Sequence, residues 1–300
     1  MKKKKFKVVL ATDRKGRELQ TLSNICGEKE IPFHFFDVRH DVVKDHVHDN
    51  TVVFTRGPCK NRLGYLNKLT EMEMLGATMV NNRETQEVCN DKWRCHMMLE
   101  QIGLTQPKTV MIASSRDDII EKQFTKLGLE FPVVVKKLEG SYGIGIMIAD
   151  TMLGLKTIIQ TLYKEEAVHQ SGDDVIIQEF VEHKHDYRAH VLDGQVIAAM
   201  KRTPQEGDFR SNVSRGASVK SVDLSDIEKQ HCIMAATQVN ARWCAVDFIR
   251  SDKENSPIIL EVNHAPHTQG IEEAMRDDGA EVDAPLMTQI VEHFERLANE

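Results

Sequence analysis

The sequence predicts a mixed α/β protein in which a small parallel α/β unit precedes antiparallel α+β lobes. Apolar strands alternate with helical segments over residues 6–80, an order typical of parallel sheets. Later strands follow one another closely and are joined by short turns, which favours antiparallel hairpins. A chain of 300 residues is long enough for two or more domains with sizeable cores.

The first unit contains four predicted strands and two predicted helices. The strands are residues 6–11, 33–38, 52–55 and 78–80, and the helices are residues 14–26 and 63–75. No GxGxxG motif is present, so the unit is not an obvious dinucleotide binder. Arg56 follows the third strand, where it is either a surface charge or an anion contact at the strand's C-terminal edge.

The rest of the chain is predicted to contain hairpins and covering helices. Asp91 is placed to cap a helix that runs to about Ile102. Three strands at 175–181, 187–192 and 196–201 are expected to be joined by antiparallel turns, followed by a long polar loop over 203–221. Further helices are predicted at 115–127, 151–163, 225–240, 268–276 and 283–298.

Composition narrows the class of protein. The formal net charge of −7 argues against nucleic-acid wrapping. Six cysteines occur without CxxC spacing, which indicates reduced thiols in a cytoplasmic protein. The apolar run after the basic N-terminus is too short for a signal peptide, and no run is long enough to span a membrane. We therefore expect no membrane partner and no direct nucleic-acid binding.

The most informative segment is a predicted hairpin that carries two carboxylates. Apolar runs at 244–250 and 258–262 flank a polar link, so that a turn near residue 254 places Asp247 opposite Glu261. Asn263 points the same way as Glu261 because side chains alternate along a strand. Cross-strand neighbours lie roughly 5 Å apart. Burying such a cluster costs free energy unless its negative charge is neutralised. The usual occupant of a site with a few carboxylates is magnesium bound to the phosphates of a nucleotide.

A glycine-rich turn at 140–145 is the second candidate feature. Its backbone amides are suited to an anion, and Lys136 on the preceding strand is suited to neutralising a phosphate. The alternative is an ordinary glycine hairpin with a surface lysine. The order of residues is not that of a Walker A loop.

Three further features either bind a ligand or are simply exposed to solvent, and the sequence leaves both interpretations open. Glu179 at a strand end is suited to an adenine amino group, and Asp186 to ribose hydroxyls. The loop over 201–216 contains several arginines, which suit carboxylates and phosphates. Considered together with the lysine, the glycine turn and the hairpin, these features supply the groups that phosphoryl transfer needs.

The order of these motifs resembles the ATP-grasp superfamily, specifically the RimK-like α-L-glutamate ligases. The likeness extends from about residue 71 to residue 272. It rests on residues 131–136, Gly140-x-x-Gly143-x-Gly145, 178–180, Asp186-x-Arg188, 198–202, 206–216, 246–247 and Glu261-x-Asn263. The resemblance implies an ATP-grasp fold after a small parallel α/β domain. We place the three domains at 1–88, 89–182 (with the glycine flap) and 183–300 (with the metal site).

The resemblance also implies a role for each matching position. ATP phosphates would be bound by Lys92, Lys136, the turn glycines Gly140, Gly143 and Gly145, and the loop residues Arg210, Ser211 and Asn212. Adenine would meet Glu179 and Phe180, and ribose would meet Asp186. Mg²⁺ or Mn²⁺, with two ions expected, would be held by Asp247, Glu261 and Asn263. The candidates for the acyl phosphate or the incoming amino acid are Arg188, Arg202, Arg210 and Arg215.

The implied reaction joins a carboxylate to an amine through an acyl phosphate. The expected partners are ATP, L-glutamate and a carboxylate acceptor, with a ribosomal protein C-terminus or a glutamate chain as the implied acceptor and a homo-oligomer as the implied assembly. A lysine- or arginine-biosynthesis-type ligase acting on a carrier protein or small metabolite is the alternative within the fold. A non-catalytic nucleotide-binding regulator is the alternative of another class. One departure from the family's pattern is the pair His264 and His267, where small residues and a glycine are usual.

Overall fold

The computed structural model describes residues 5–57, 62–140, 145–167, 174–205, 207, 216–250 and 256–298. Its strands are β1 (Lys7–Thr12), β2 (Phe33–Asp37), β3 (Thr51–Thr55), β4 (Thr78–Val80), β5 (Thr109–Ile112), β6 (Val133–Lys137), β7 (Ile146–Ala149), β8 (Val175–Glu179), β9 (Asp186–Leu192), β10 (Gln195–Thr203), β11 (Ser218–Ser221), β12 (Trp243–Ile249) and β13 (Ile258–Asn263). Its helices are α1 (Arg17–Glu28), α2 (Val43–His46), α3 (Arg62–Met74), α4 (Arg83–Asn90), α5 (Lys92–Gln101), α6 (Asp117–Leu127), α7 (Met152–Ala167), α8 (Asp226–Gln238), α9 (Gln269–Asp277) and α10 (Pro285–Leu297).

The N-terminal sheet is parallel, as predicted, with the strand order β2-β1-β3-β4. Successive residues of β1 point to opposite faces, so Val8 and Leu10 pack with α1 while Val9 and Ala11 pack with α3. Because both faces are covered by helices, the strand is apolar along its length, as is usual for parallel sheets.

A second sheet, with the order β5-β8-β6-β7, is antiparallel and is covered by α6 and α7. It includes β8, and this corrects one prediction. The strand at 175–181 was expected to continue through antiparallel turns into 187–192, but β8 pairs with β5 and β6 instead of β9. Short links in the sequence suggest local pairing, whereas here the residues between β8 and β9 carry the chain from one sheet to another.

The third sheet, with the order β11-β10-β9-β12-β13, is antiparallel and carries the predicted carboxylate hairpin. The β9–β10 turn uses Asp193 and Gly194, both with positive φ (47° and 77°), which matches a two-residue hairpin turn. β11 pairs with β10, so the interpretation of 203–221 as a loop throughout is wrong at its C-terminal end. The helix predicted to start at residue 225 is confirmed, since Ser225 and Glu228 form a capping box at the start of α8.

The two faces of the third sheet have different neighbours. One face packs against α4, α5 and α8. The other face carries Trp243 and Met200, which share a core with Leu10 and Phe54 of the N-terminal sheet and with helices α1, α9 and α10. Polar side chains on this second face therefore lie near the junction with the N-terminal unit. Within the described ranges, no helix is both long and apolar enough to cross a membrane.

Phe294 tests this shared core. It is fully buried, and its ring lies 5.3 Å from that of Phe54, centroid to centroid. We expect Phe294→Ala to lower the free energy of unfolding by about 3–5 kcal/mol, because it removes an aromatic side chain and leaves a cavity. Urea denaturation measures the loss. The control Met74→Ala removes a side chain that is 83% exposed and should change little; equal effects of the two changes would contradict the shared core.

Candidate active site

Six predicted site residues share one face of the third sheet. Strand alternation places Asp186 and Arg188 on the same side of β9, and Glu261 and Asn263 on the same side of β13. Asp247 is paired in register with Glu261 on one side and with Arg188 on the other. The predicted position of Asp247 opposite Glu261 is thus confirmed, and the face also includes Arg202, whose guanidinium binds Asp186.

Two arginines bind the buried carboxylates of this face in pairs. Arg188 donates from Nε and Nη2 to the two oxygens of Asp247, both at 2.7 Å. Arg202 donates to the two oxygens of Asp186 at 2.6 and 2.7 Å, and its Nη2 lies 3.1 Å from Oδ2 of Asp247. These bidentate pairs fix both the position and the orientation of each carboxylate.

The arginines also set the ionisation of Asp247. Its exposure is only 4%, and burial by itself raises the pKa of a carboxyl group. The charges of Arg188 and Arg202 outweigh burial and hold the pKa of Asp247 below its ordinary value. Asp247 is therefore an anion whose charge is neutralised by two arginines of the protein. The sequence did not predict this role of the arginines.

Glu261 and Asn263 border open space. Both are partly exposed and line two adjoining cavities. Among the described residues, the Glu261 carboxylate accepts its side-chain hydrogen bond from Asn263, whose Nδ2 is 3.0 Å from Oε1 and 3.3 Å from Oδ2 of Asp247. Carboxylate and amide oxygens are the ligands that Mg²⁺ prefers, so this donor set fits a hard divalent cation.

The smaller cavity, of about 360 Å³, lies between the second and third sheets. It is lined by Lys92, Lys136, Gly140 and Gln178, together with Glu261 and Asn263. Lys136 Nζ donates to Oε1 of Gln178 at 2.5 Å, and Lys92 Nζ donates to the carbonyls of Leu138 and Gly140 at 3.3 and 3.2 Å. Both lysines thus line one cavity, and their binding of phosphate stays a prediction.

The ends of the glycine turn adopt conformations that favour glycine. Gly140 and Gly145 have φ values of +148° and +76°. The turn joins β6 to β7 as an antiparallel hairpin, which agrees with the predicted strand, turn and strand. Gly143 lies outside the described residues, as do the loop residues Arg210, Ser211, Asn212 and Arg215, so their predicted roles stay predictions.

The larger cavity is a cleft of about 1520 Å³ between the third sheet and the N-terminal unit. Arg188, Arg202, Glu261 and Asn263 line one part of it, and α1 lines another from Arg17 to Glu28. It shares Lys92, Gly140, Glu261 and Asn263 with the smaller cavity. The predicted metal ligands on β13 therefore border both spaces.

Of three predicted nucleotide contacts, two have hydrogen-bond partners within the protein. Glu179 Oε2 accepts a hydrogen bond from the amide of Lys108 at 3.2 Å, and Glu179 and Phe180 are both partly exposed at the end of β8. Asp186 is 6% exposed, and Arg202 occupies both of its oxygens. Their contacts with adenine and ribose stay predictions.

Arg56 contributes to this junction and is not a surface charge. It is 8% exposed, and its Nη2 donates to the carbonyl of Pro266 at 2.8 Å while its Nε donates to Glu18 at 2.8 Å. It therefore connects the N-terminal unit to the segment that follows Asn263. The sequence left open whether Arg56 contacts an anion. In the structure the anion that it contacts is the carboxylate of Glu18.

A second group of possible metal ligands lies outside the cleft. The side chains of His34, Asp41 and His46 offer ligand atoms within 4.8 Å of one another. The two imidazoles, however, are stacked with centroids 4.0 Å apart and planes 11° from parallel. A metal lies in the plane of each ring that binds it, and two parallel planes do not meet at an ion. This geometry favours ring stacking over metal binding.

Comparison with known proteins shows the family and the fold. Residues 89–290 match the family model described as the RimK-like ATP-grasp domain. The chain is 34% identical over 214 residues to a "Probable alpha-L-glutamate ligase" of Vibrio atlanticus (strain LGP32). These 214 residues are 71% of this chain and 67% of the relative. A protein of the same name from Marinomonas sp. (strain MWYL1) is 34% identical over 76% of this chain and 70% of its own length.

Solved structures confirm the predicted ATP-grasp fold. The ATP-grasp ligase PsnB, complexed with a minimal precursor, matches with a TM-score of 0.70 at 17% identity and covers 95% of this chain and 99% of PsnB. D-alanine–D-alanine ligase from Bacillus anthracis matches with a TM-score of 0.71 at 16% identity, with 98% of each chain covered. At these identities the likeness shows the fold alone.

The charge of Lys136 predicts a pH dependence of nucleotide binding. Burial lowers the pKa of Lys136 to about 8, despite the opposing attraction of Glu261. The ammonium group is charged below this pKa and loses its charge as the pH rises through it. If the charged form binds phosphate, the affinity for a non-hydrolysable ATP analogue should be about tenfold weaker at pH 9 than at pH 7.

Isothermal titration at both pH values measures this effect, with Lys136→Arg as the matched variant. A guanidinium stays charged over this range, so the variant should show little pH dependence. A tenfold fall in affinity that persists in Lys136→Arg would assign the titration to another group.

Proposed function

Because this chain belongs to the RimK-like family of ATP-grasp ligases, which form C–N bonds, we propose that it adds L-glutamate to a carboxylate acceptor at the expense of ATP. The observation that carries the proposal is the position of Glu261 and Asn263. They border both a lysine-lined cavity and a large cleft. A nucleotide in the first space and an acceptor in the second would meet at these two residues.

Each part of the site has a distinct task in this proposal. Lys92, Lys136 and the backbone at Gly140 bind the phosphates of ATP. Asp247, Glu261 and Asn263 would hold Mg²⁺ or Mn²⁺, which would supply positive charge to offset that of the transferred phosphoryl group. Arg188 and Arg202 line the cleft while they stay bonded to carboxylates, so they present a fixed positive edge to an anionic substrate.

The side chain of Asn263 supports the metal assignment. Its amide nitrogen lies between the carboxylates of Asp247 and Glu261, where the partial positive charge of the N–H groups offsets their repulsion. A rotation of the amide group that exchanges its oxygen and nitrogen would place Oδ1 where the nitrogen now lies. A cation in the same position would then meet oxygens from all three side chains, which is the ligand type that Mg²⁺ and Mn²⁺ prefer.

The reaction then proceeds in two steps. An acceptor carboxylate attacks the γ-phosphorus of ATP, the bond to ADP breaks, and an acyl phosphate forms. The amine of glutamate attacks the acyl carbon, the bond to phosphate breaks, and the amine proton is lost as the amide forms. Both steps need positioning and charge neutralisation, and neither needs a covalent bond to the protein.

The size of the cleft supports a peptide or protein acceptor. A cleft of about 1520 Å³ that runs along α1 is larger than one amino acid requires. Relatives bear the name alpha-L-glutamate ligase, and the neighbour PsnB was solved with a precursor peptide. We propose the C-terminal carboxylate of a protein as the acceptor, with a ribosomal protein and a growing glutamate chain as the first candidates.

The test follows ADP release and product mass. The protein is incubated with ATP, Mg²⁺ and each amino acid in turn, with acceptor peptides that end in glutamate. We expect ADP release that depends on glutamate, together with an acceptor whose mass grows by glutamate units. ATP binding without turnover for any amino acid and acceptor would favour a nucleotide-binding regulator and would contradict the proposal.

A substitution at Glu261 tests the metal assignment directly. Glu261→Gln keeps the shape of the side chain but removes its charge, and a metal ligand of this kind stabilises the transition state by several kcal/mol. We expect kcat to fall by about 10²-fold or more, with an unchanged melting temperature. Glu100→Gln, at an exposed position of α5, is the matched control and should retain full activity. Unchanged turnover in Glu261→Gln would refute the assignment.

A further inference from the structure

Asn81 connects the N-terminal unit to the hairpin that carries Asp247, Glu261 and Asn263. It follows β4 directly and is 1% exposed. Its main chain is fixed to its own unit, because its N–H donates to Thr55 Oγ1 at 2.7 Å and its carbonyl accepts from Thr55 Oγ1 at 3.0 Å and from Gln86 Nε2 at 3.3 Å. The side chain is therefore held by one sheet and directed toward another.

The amide of Asn81 makes four hydrogen bonds, all of them to the main chain of the third sheet and its flanks. Its Oδ1 accepts from the N–H groups of Arg242 and Trp243 at 2.9 and 3.0 Å. Its Nδ2 donates to the carbonyls of Trp243 and His264 at 2.6 and 2.9 Å. The two donors and two acceptor positions of a carboxamide are thus all used.

These four bonds join the two strands of the hairpin at the end that carries the site. Trp243 is the first residue of β12, which carries Asp247, and His264 directly follows Asn263 at the end of β13. Asn81 consequently bridges the start of one strand and the end of its partner. Arg56 adds a second connection on the same side, through its bond to the carbonyl of Pro266 and through its guanidinium, which lies 5.0 Å from the ring of Trp243.

β13 needs such support because it is an edge strand. It pairs with β12 on one side only, and the pairing shifts register between Asp247 and Phe248. Register along an edge strand is weakly specified where a bulge interrupts the ladder. At its other end, β13 is held by the bond from the Ile259 N–H to the carbonyl of Thr105 at 2.8 Å. At the site end, contacts from outside the sheet include the bond from Asn81 to the carbonyl of His264, the bond from Arg56 to the carbonyl of Pro266, and the bond between His264 Nε2 and Oδ1 of Asn90.

We propose that Asn81 is a positioning residue for the metal-binding side chains, through which the N-terminal unit sets the geometry of a site in the C-terminal part of the chain. Asn81 touches none of the reacting groups and acts through the main chain at residues 243 and 264. The proposal rests on the proposed function, since it assumes that the hairpin binds a divalent cation. It predicts that metal affinity depends on a residue outside the segment that matches the ATP-grasp family model.

The test compares Asn81→Asp with Asn82→Asp in the full-length protein. Asn81→Asp keeps the shape and the acceptor oxygens, but it loses both N–H donors and places a negative charge beside the carbonyls of Trp243 and His264. Asn82→Asp makes the same chemical change at the next residue, where the side chain only accepts a bond from the Thr85 N–H as the cap of α4. Comparison of the two variants therefore separates the loss of the Asn81 hydrogen bonds from the effect of an added negative charge.

Two measurements are made on each variant. Electron paramagnetic resonance gives the affinity for Mn²⁺ in the presence of a non-hydrolysable ATP analogue, and hydrogen exchange reports the opening of residues 243–249 and 258–264. We expect Asn81→Asp to bind Mn²⁺ about 10- to 100-fold more weakly, the range found when a residue that orients metal ligands is lost. Exchange in the hairpin should be about tenfold faster. Asn82→Asp should match the unaltered protein in both measurements.

The outcomes distinguish this inference from the proposed function. Unaltered Mn²⁺ affinity and hairpin exchange in Asn81→Asp would overturn the inference alone. Absence of Mn²⁺ binding by the unaltered protein would refute the metal assignment, and the inference with it. If Asn81→Asp does not fold, the uncharged variant Asn81→Ser replaces it and is held to the same two criteria, because serine also fails to bridge the two strands.

Discussion

The pairing of two arginines with two buried carboxylates is the constraint on which the site depends. Asp186 and Asp247 are 6% and 4% exposed, and a buried charge without a partner is strongly destabilising. Arg188 and Arg202 each come from a different strand, so the pairs also fix how β9, β10 and β12 lie relative to one another. With these charges compensated inside the protein, Glu261 and Asn263 are left to line the cavities, where a cation can reach them.

The sequence predicted the positions of the candidate metal ligands better than those of their neighbours, for a physical reason. Asp247, Glu261 and Asn263 follow from local rules, since a short hairpin and strand alternation place them together. The pairing of Arg188 with Asp247 needs the order of strands in the sheet, which joins residues 59 positions apart. The same dependence on distant pairing explains why β8 was expected beside β9, although it lies in another sheet. Asn81 gave no signal, because its side-chain partners lie 161 to 183 positions away in the sequence.

The position of α10 shows that units defined along the chain need not be units in space. Domain limits at 88 and 182 follow the motifs, yet Phe294 and Leu286 near the C-terminus pack in the core that contains Val8 and Phe54. The cleft is thus closed on one side by helices from both ends of the chain. Motion of the N-terminal unit relative to the third sheet would disturb this core and the contacts of Arg56 together, so the larger cleft and the candidate metal ligands are mechanically connected.

The two histidines that depart from the family's usual pattern have different surroundings. His264 is 5% exposed, its Nε2 lies 3.2 Å from Oδ1 of Asn90, and burial lowers its pKa to about 3. It is therefore a neutral side chain that fills the space between α4 and the hairpin, and it adds no charge to the cleft. His267 instead lines the larger cleft, on the side where an acceptor would enter. His264 lines the smaller cavity and His267 lines the larger cleft, so a difference in acceptor choice from other RimK-like ligases is expected at His267.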